Sequence, residues 1–239
     1  MEAIIKETGT SVTIEPRVAV VGLGGAGCNV VSGFYNALAP VDTIAINTDK
    51  KALDGTAADK KLYICKAVTK GEGTKGDARL GSKCAEVHEE QIKEALVRHD
   101  VVFLISGLGG GTGTGATSVV ADICNRNNIM TFTIGINPFF FEADRIPVAR
   151  EGLRTIRAKC PNTITIENDK ILEIMPDATL NEAMRAVNNS IIEFVNQTVG
   201  SIASKIVKEI STAVKEISFS EKAGIKDASE PNTFSVIKI

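Results

Sequence analysis

The chain has 239 residues, 44% apolar and 23% charged, with a formal net charge of −2. Those proportions suit an ordinary globular protein of one large or two small domains. No Lys/Arg block and no apolar run near the roughly 18 residues of a bilayer span is present, so neither nucleic acid, an anionic membrane surface nor a membrane span is expected.

The opening segment MEAIIKETGTSVTIEP is charged and lacks a signal-peptide core, so residues 1–16 read as an N-terminal arm and the chain is expected in the cytoplasm. From there, β-branched apolar runs alternate with helical spacing. RVAVVGL (17–23), TIAINT (43–48), KLYI (61–64), VVFLIS (101–106), MTFTIGI (130–136) and TITIE (163–167) predict buried strands. Segments 27–38, about 77–98, 115–126 and 147–158 predict helices. This βαβ alternation predicts an α/β fold, a Rossmann-like doubly wound parallel sheet that takes ligands at the carboxyl ends of its strands.

The last third differs. From Met184, apolar residues recur at 187, 191, 195, 199, 202, 206, 210, 214 and 217, which predicts one long C-terminal helix closing a domain over 17–217. Residues 218–239 read as a tail, turn-prone from Glu221 to Asn232 and strand-like in TFSVIKI. The cysteines at 28, 65, 84, 124 and 160 show no CxxC spacing and read as buried free thiols in a reducing compartment. His88 and His99 lack metal-ligand spacing and read as surface residues.

Two glycine clusters follow predicted strands. GLGGAG (22–27) fits G-x-G-x-x-G, with Asp49 about twenty residues on, and by itself is compatible with a dinucleotide whose ribose Asp49 would bind. GLGGGTGTG (107–115) places glycine at six of nine positions between a strand and a helix expected from about Gly115. Unpaired N–H groups at a helix start attract phosphate, glycine lets the backbone approach it, and Thr112 and Thr114 add hydroxyls. Two such turns at neighbouring strand ends suit a chain of phosphates, and KGEGTKGD (70–77) is a third segment able to close over the last one. Neither G-x-x-x-x-G-K-[ST] nor G-x-S-x-G occurs, so neither a P-loop nor a nucleophile-elbow hydrolase is expected.

GGGTGTG (109–115) resembles the signature of the tubulin/FtsZ family, and other segments fall into register with it. GLGGAGCN (22–29), with Ala26 where glycine is usual, resembles the family's first phosphate loop. AINTD (45–49), NPFFFEADR (137–145), IENDKIL (166–172) and AMRAVNN (183–189) resemble its second-strand loop, sugar loop, Asn-Asp segment and central helix. The resemblance implies GTP or GDP as ligand. It places Gly24, Gly25, Asn29, Gly109, Gly110, Gly111, Thr112, Gly113 and Thr114 at the phosphates, and Glu142 and Arg145 at the ribose. Asn168 and Asn188 would read guanine, since an amide both donates and accepts, with Met184 packed on the base. No carboxylate is placed for a metal, so any Mg²⁺ is expected to be held through phosphates and water.

In FtsZ the central helix gives way to an N-x-D-x-x-D loop whose acids complete the neighbouring subunit's site. After Asn189 this sequence has no such motif and stays in helical register. Phosphoryl transfer needs an oriented water more than covalent help. The expectation is therefore a guanine-nucleotide protein that hydrolyses slowly or not at all, with no catalytic residue assigned and no ordinary protofilament. A homodimer or small homo-oligomer through the apolar stripe of 202–217, and a role beside a division or cytoskeletal filament, are expected. The alternatives are an active GTPase completed by an acid from another subunit, and an NAD-dependent oxidoreductase.

Overall fold

The computed structural model describes the backbone of residues 4–8, 11–37 and 40–223. Within the expected arm, β1 (Ile4–Thr8) and β2 (Ser11–Glu15) pair antiparallel as a separate two-stranded sheet. The main sheet is parallel and six-stranded. Its members are β3 (Val18–Leu23), β4 (Asp42–Asn47), β5 (Lys60–Tyr63), β6 (Val101–Gly107), β7 (Met130–Asn137) and β8 (Thr163–Glu167). Their spatial order is β5-β4-β3-β6-β7-β8, so the chain builds outward in one direction from β3 and then in the other from β6. Each coincides with a run predicted from the sequence to within a residue at either end.

The central strands are apolar on both faces because helices cover both. Val18 and Val20 of β3 join Val101, Phe103 and Ile105 of β6 in one cluster, with Val30, Val31 and Phe34 of α1 (Gly24–Asn36). Ala19, Val21 and Leu23 alternate to the other face, with Val102 and Leu104. There they meet α4 (Ala78–Val87), α5 (Glu89–Leu96) and α6 (Thr112–Arg126). Asp77 caps α4, accepting from the N–H groups of Arg79 (2.9 Å) and Leu80 (3.0 Å).

The long helix is α9 (Leu180–Ala223), 44 residues and therefore about 66 Å long. Thr179 and Glu182 start it with a capping box: Glu182 Oε2 accepts from the Thr179 N–H at 2.8 Å, and Thr179 Oγ1 accepts from the Glu182 N–H at 3.3 Å. Ala183, Val187, Ile191 and Val195 are buried from it, the last three in one cluster with residues of β3, β6 and β7. The predicted stripe thus packs at its N-terminal end, and Val199 and Ile202 are only half-covered. The strand-like end expected at 233–239 lies outside the described residues.

Three readings need correction. Cys65 and Cys84 are joined in a disulfide, their Cα atoms 5.1 Å apart, while Cys28, Cys124 and Cys160 are the buried free thiols. The expected 77–98 helix is interrupted at His88, whose Nδ1–H donates to the Cys84 carbonyl (2.9 Å) while Nε2 accepts from the Cys65 N–H (3.3 Å). His99 is not a surface residue: it is 5% exposed, with Nε2 2.9 Å from Asp42 Oδ2. Among the described residues no helix is long and apolar enough to cross a membrane.

Candidate functional site

β3 and β6 lie side by side with Leu23 opposite Ser106, so the turns leaving them open next to one another. This is where the strand order reverses, the place at which an open α/β sheet forms a crevice. The crevice is a cavity of about 540 Å³, large enough for a nucleotide-sized ligand.

From the first turn, Gly24, Gly25 and Asn29 line it; from the second, Gly110, Gly111, Thr112 and Gly113. Gly24 has φ +69°, and a side chain there would sit 2.8 Å from the Gly113 nitrogen, so only glycine lets the turns approach this closely. Gly109 (φ +88°) is not in the lining; a side chain on it would strike Arg145 Cβ at 2.7 Å, so it carries the chain past the start of α7 (Arg145–Lys159).

The helix after the second turn begins at Thr112 rather than near Gly115. Gly113 is helical and packs so tightly that a side chain would come within 2.7 Å of the Gly107 carbonyl oxygen. Part of the glycine content therefore serves helix–strand packing. Because Thr112 and Thr114 are both helical, they project from different faces. Thr112 lines the cavity, whereas Thr114 is 2% exposed, faces Gly152 of α7 and lies outside the lining.

The lining also includes Glu142, Arg145, Asn168, Met184 and Asn188. Arg145 Nη1 donates to Glu142 Oε1 at 2.6 Å, and Glu142 Oε2 accepts from the Phe139 N–H at 3.1 Å. Asn168 opens α8 (Asn168–Ile174) directly after β8, while Met184 and Asn188 are one turn apart on α9. Met184 is 45% exposed, so it presents a surface rather than filling the core.

Asn47 and Thr74 line the cavity and were not singled out from the sequence, while Asp49, read there as the ribose ligand of a dinucleotide, lines it too. Asn47 ends β4 and is 2% exposed; its Oδ1 accepts from the N–H groups of Thr48 (2.8 Å) and Asp49 (3.2 Å). Among the described residues its Nδ2 has no partner, an orphaned donor in a buried site. A polar residue closing an otherwise apolar strand was the signal available. Thr48 Oγ1 lies 2.7 Å from Thr112 Oγ1, and Thr74 Oγ1 lies 3.4 Å from the same hydroxyl. Asp49 caps α2 (Lys50–Asp54) through the Ala52 N–H and pairs its backbone with Glu72 in the 70–77 segment, beside Gly73. Glu142 and Arg145, the residues placed at the ribose, enter the cavity from a different part of the fold.

The charged groups lining the cavity are Asp49, Glu72, Lys75, Glu142 and Arg145. The Lys75 ammonium bonded to Glu72 holds that carboxyl below the usual carboxylate range, and the carboxylate in turn raises Lys75. Under the first turn, burial pushes the Cys28 thiol up to about 12. Among the described residues no group of three or more His, Cys, Asp or Glu side chains is placed to hold a metal.

The sequence matches the family described as Tubulin/FtsZ family, GTPase domain, over residues 17–176. Cell division protein FtsZ 2 of Halobacterium salinarum is 38% identical over 182 residues, 76% of this chain and 46% of that protein. Cell division protein FtsZ 2 of Methanocaldococcus jannaschii is 36% identical over 190 residues, 79% of this chain and 50% of its own length. This chain thus spans about half the length of these relatives. In structure it is similar to an empty FtsZ dimer of M. jannaschii, with a TM-score of 0.73, 36% identity and coverage of 77% of this chain and 55% of that one. A GTPγS-bound CetZ2 protofilament from Haloferax volcanii, 23% identical, shares the fold with a TM-score of 0.70 over 78% of this chain and 59% of its own.

Proposed function

Because the chain belongs to the tubulin/FtsZ family, we propose that its cavity binds GTP or GDP. The observation that supports this reading is the crevice itself, floored by two glycine turns that approach so closely that a side chain at Gly24 would sit 2.8 Å from the Gly113 nitrogen. Backbone N–H groups at Gly24–Gly25 and Gly110–Thr112 would bind phosphate oxygens, and the start of α6 adds its dipole. Glu142 would accept from ribose hydroxyls. Asn168 and Asn188 would pair with the edge of guanine, with the Met184 thioether against its face. Mg²⁺, where present, would ride on phosphate oxygens and water, neutralising charge there. The test is to denature the purified protein and chromatograph what it releases; a guanine nucleotide is expected, and a nicotinamide nucleotide would refute the assignment.

The same reading gives slow hydrolysis or none. α9 is unbroken from Leu180 to Ala223, through the stretch where the family resemblance puts an acid loop. Without a positioned water the bound triphosphate is held but not attacked. Fewer than about one turnover per hour by the isolated chain is expected, judged against the slow intrinsic rates of nucleotide switches lacking a water-positioning partner. Rapid multiple turnover would overturn it. The half-covered residues Val199, Ile202 and Ile206 continue the buried stripe of α9 and favour pairing with a second copy, checked by gel filtration with and without GTP. The cellular role this fits is regulatory or structural, in the cytoplasm beside a division or shape-determining filament.

A further inference from the structure

The segment 70–77 closes one end of the cavity and is built from left-handed backbone. Gly71, Gly73 and Gly76 have φ of +89°, +72° and +87°. Lys75 stands among them at φ +49°, a conformation that a β-carbon disfavours. A lysine therefore occupies a position glycine would fill without strain, and it lines the cavity. Residues held this way often mark functional sites.

The neighbours fix which end this is. The β6–α6 turn runs from Gly109, packed on Arg145, to Gly111, where a side chain would meet the Asp77 nitrogen at 2.8 Å. Thr74, next to Lys75, approaches the Thr112 hydroxyl at 3.4 Å. Lys75 thus sits at the opposite end of the phosphate turn from Arg145 and the ribose residues. Two carboxylates, Asp49 and Glu72, line that same end and oppose a polyanion entering it. Of the two cations in the described lining, Arg145 is bonded to Glu142. Lys75 is bonded to Glu72 at 2.6 Å, with both side chains exposed (73% and 66%). A solvent-exposed pair of this kind is weak and readily exchanged, whereas an ammonium on a phosphate makes a charge-assisted bond.

We propose that Lys75 is the ligand of the terminal phosphate: when a nucleoside triphosphate enters, the ammonium leaves Glu72 and bonds the last phosphoryl group. This rests on the guanine-nucleotide reading of the cavity. A diphosphate ends short of this position, so Lys75 sets the preference for triphosphate over diphosphate. It also lessens the need for a divalent cation at the carboxylate-lined end.

The experiment is calorimetric titration of the full chain with GDP and with a non-hydrolysable GTP analogue, each in EDTA and in Mg²⁺. In EDTA, Lys75→Gln is expected to weaken the analogue about tenfold, the worth of one charge-assisted bond, and to leave GDP within about twofold. Lys75→Arg keeps the preference. Glu72→Gln, which removes the competing carboxylate, strengthens the analogue. Lys83→Gln, the same charge loss on an exposed face of α4, changes neither. Equal losses for both nucleotides, or none for either, in Lys75→Gln overturn the assignment while leaving the nucleotide reading intact. Wild-type protein that binds neither nucleotide sinks both.

Discussion

Thr48 and Thr112 meet hydroxyl to hydroxyl at 2.7 Å, joining the residue after β4 to the first residue of α6. Both are buried, and the Thr69 hydroxyl donates to the Thr48 carbonyl at 3.1 Å, so the start of α6 is braced against the residue that follows β4. Thr112→Val keeps the shape and removes that bond, stranding the Thr48 hydroxyl. We expect nucleotide affinity to fall about five- to tenfold, the worth of roughly 1 kcal/mol, with titration calorimetry as the measurement. Unchanged affinity would mean the turn needs no brace.

Asn47 is the second residue that tests the cavity. Asn47→Asp retains the oxygen that accepts from the Thr48 and Asp49 amides while removing the orphaned Nδ2 donor and adding negative charge. Affinity for GDP should drop more than about tenfold, the cost of losing a donor and facing like charge. The thermal midpoint of the nucleotide-free protein should fall as well, because a carboxylate replaces a neutral amide at a 2% exposed position. A large loss of stability with intact binding would make Asn47 a structural residue only.

Asn168 and Asn188 come from α8 and α9 and both line the cavity. If they read the base, Asn168→Ala and Asn188→Ala each compress the preference for GTP over ATP by about an order of magnitude, because a hydrogen-bonding site discriminates by leaving partners unpaired. Competition binding against both nucleotides gives the ratio directly. An unaltered ratio removes these residues from base recognition.

The cysteines divide into two populations with different chemistry. Burial pushes the Cys28 and Cys124 thiols up to about 12, and Cys160 is buried as well, so the folded protein should resist a thiol reagent at about pH 8. Denaturant without reductant should expose three reactive thiols, the free ones, and added reductant all five. The Cys65–Cys84 bridge spans a sequence separation of 19, and replacing both with serine should cost on the order of 3 kcal/mol. In a domain of this size that is about 6–12 °C in thermal midpoint. Five thiols released without reductant would rule the bridge out.

Strand positions were readable because their cause is local. A run such as VVFLIS can bury both faces only inside a covered parallel sheet, and that need is written in consecutive residues. The same holds for α9, whose contacts at Val187, Ile191 and Val195 repeat every four residues. The glycine turns were legible as well, since their spacing marks close backbone approaches at the ends of β3 and β6.

What the sequence left open depends on which elements meet. His99 reads as one more polar residue of a charged stretch until Asp42, 57 positions away, arrives beside its ring. Cys65 and Cys84 have no telling spacing; only the tertiary fold sets a residue of α4 beside one that follows β5, their Cα atoms 5.1 Å apart. Thr112 and Thr114 carry identical hydroxyls two residues apart, and the start of the helix decides which one enters the cavity. Residue type and periodicity, fixed along the chain, determined the fold and the chemistry available to it. Which donors were left unpaired, and which faced the crevice, was decided in three dimensions, because hydrogen-bond partners are assigned by packing rather than by order in the sequence.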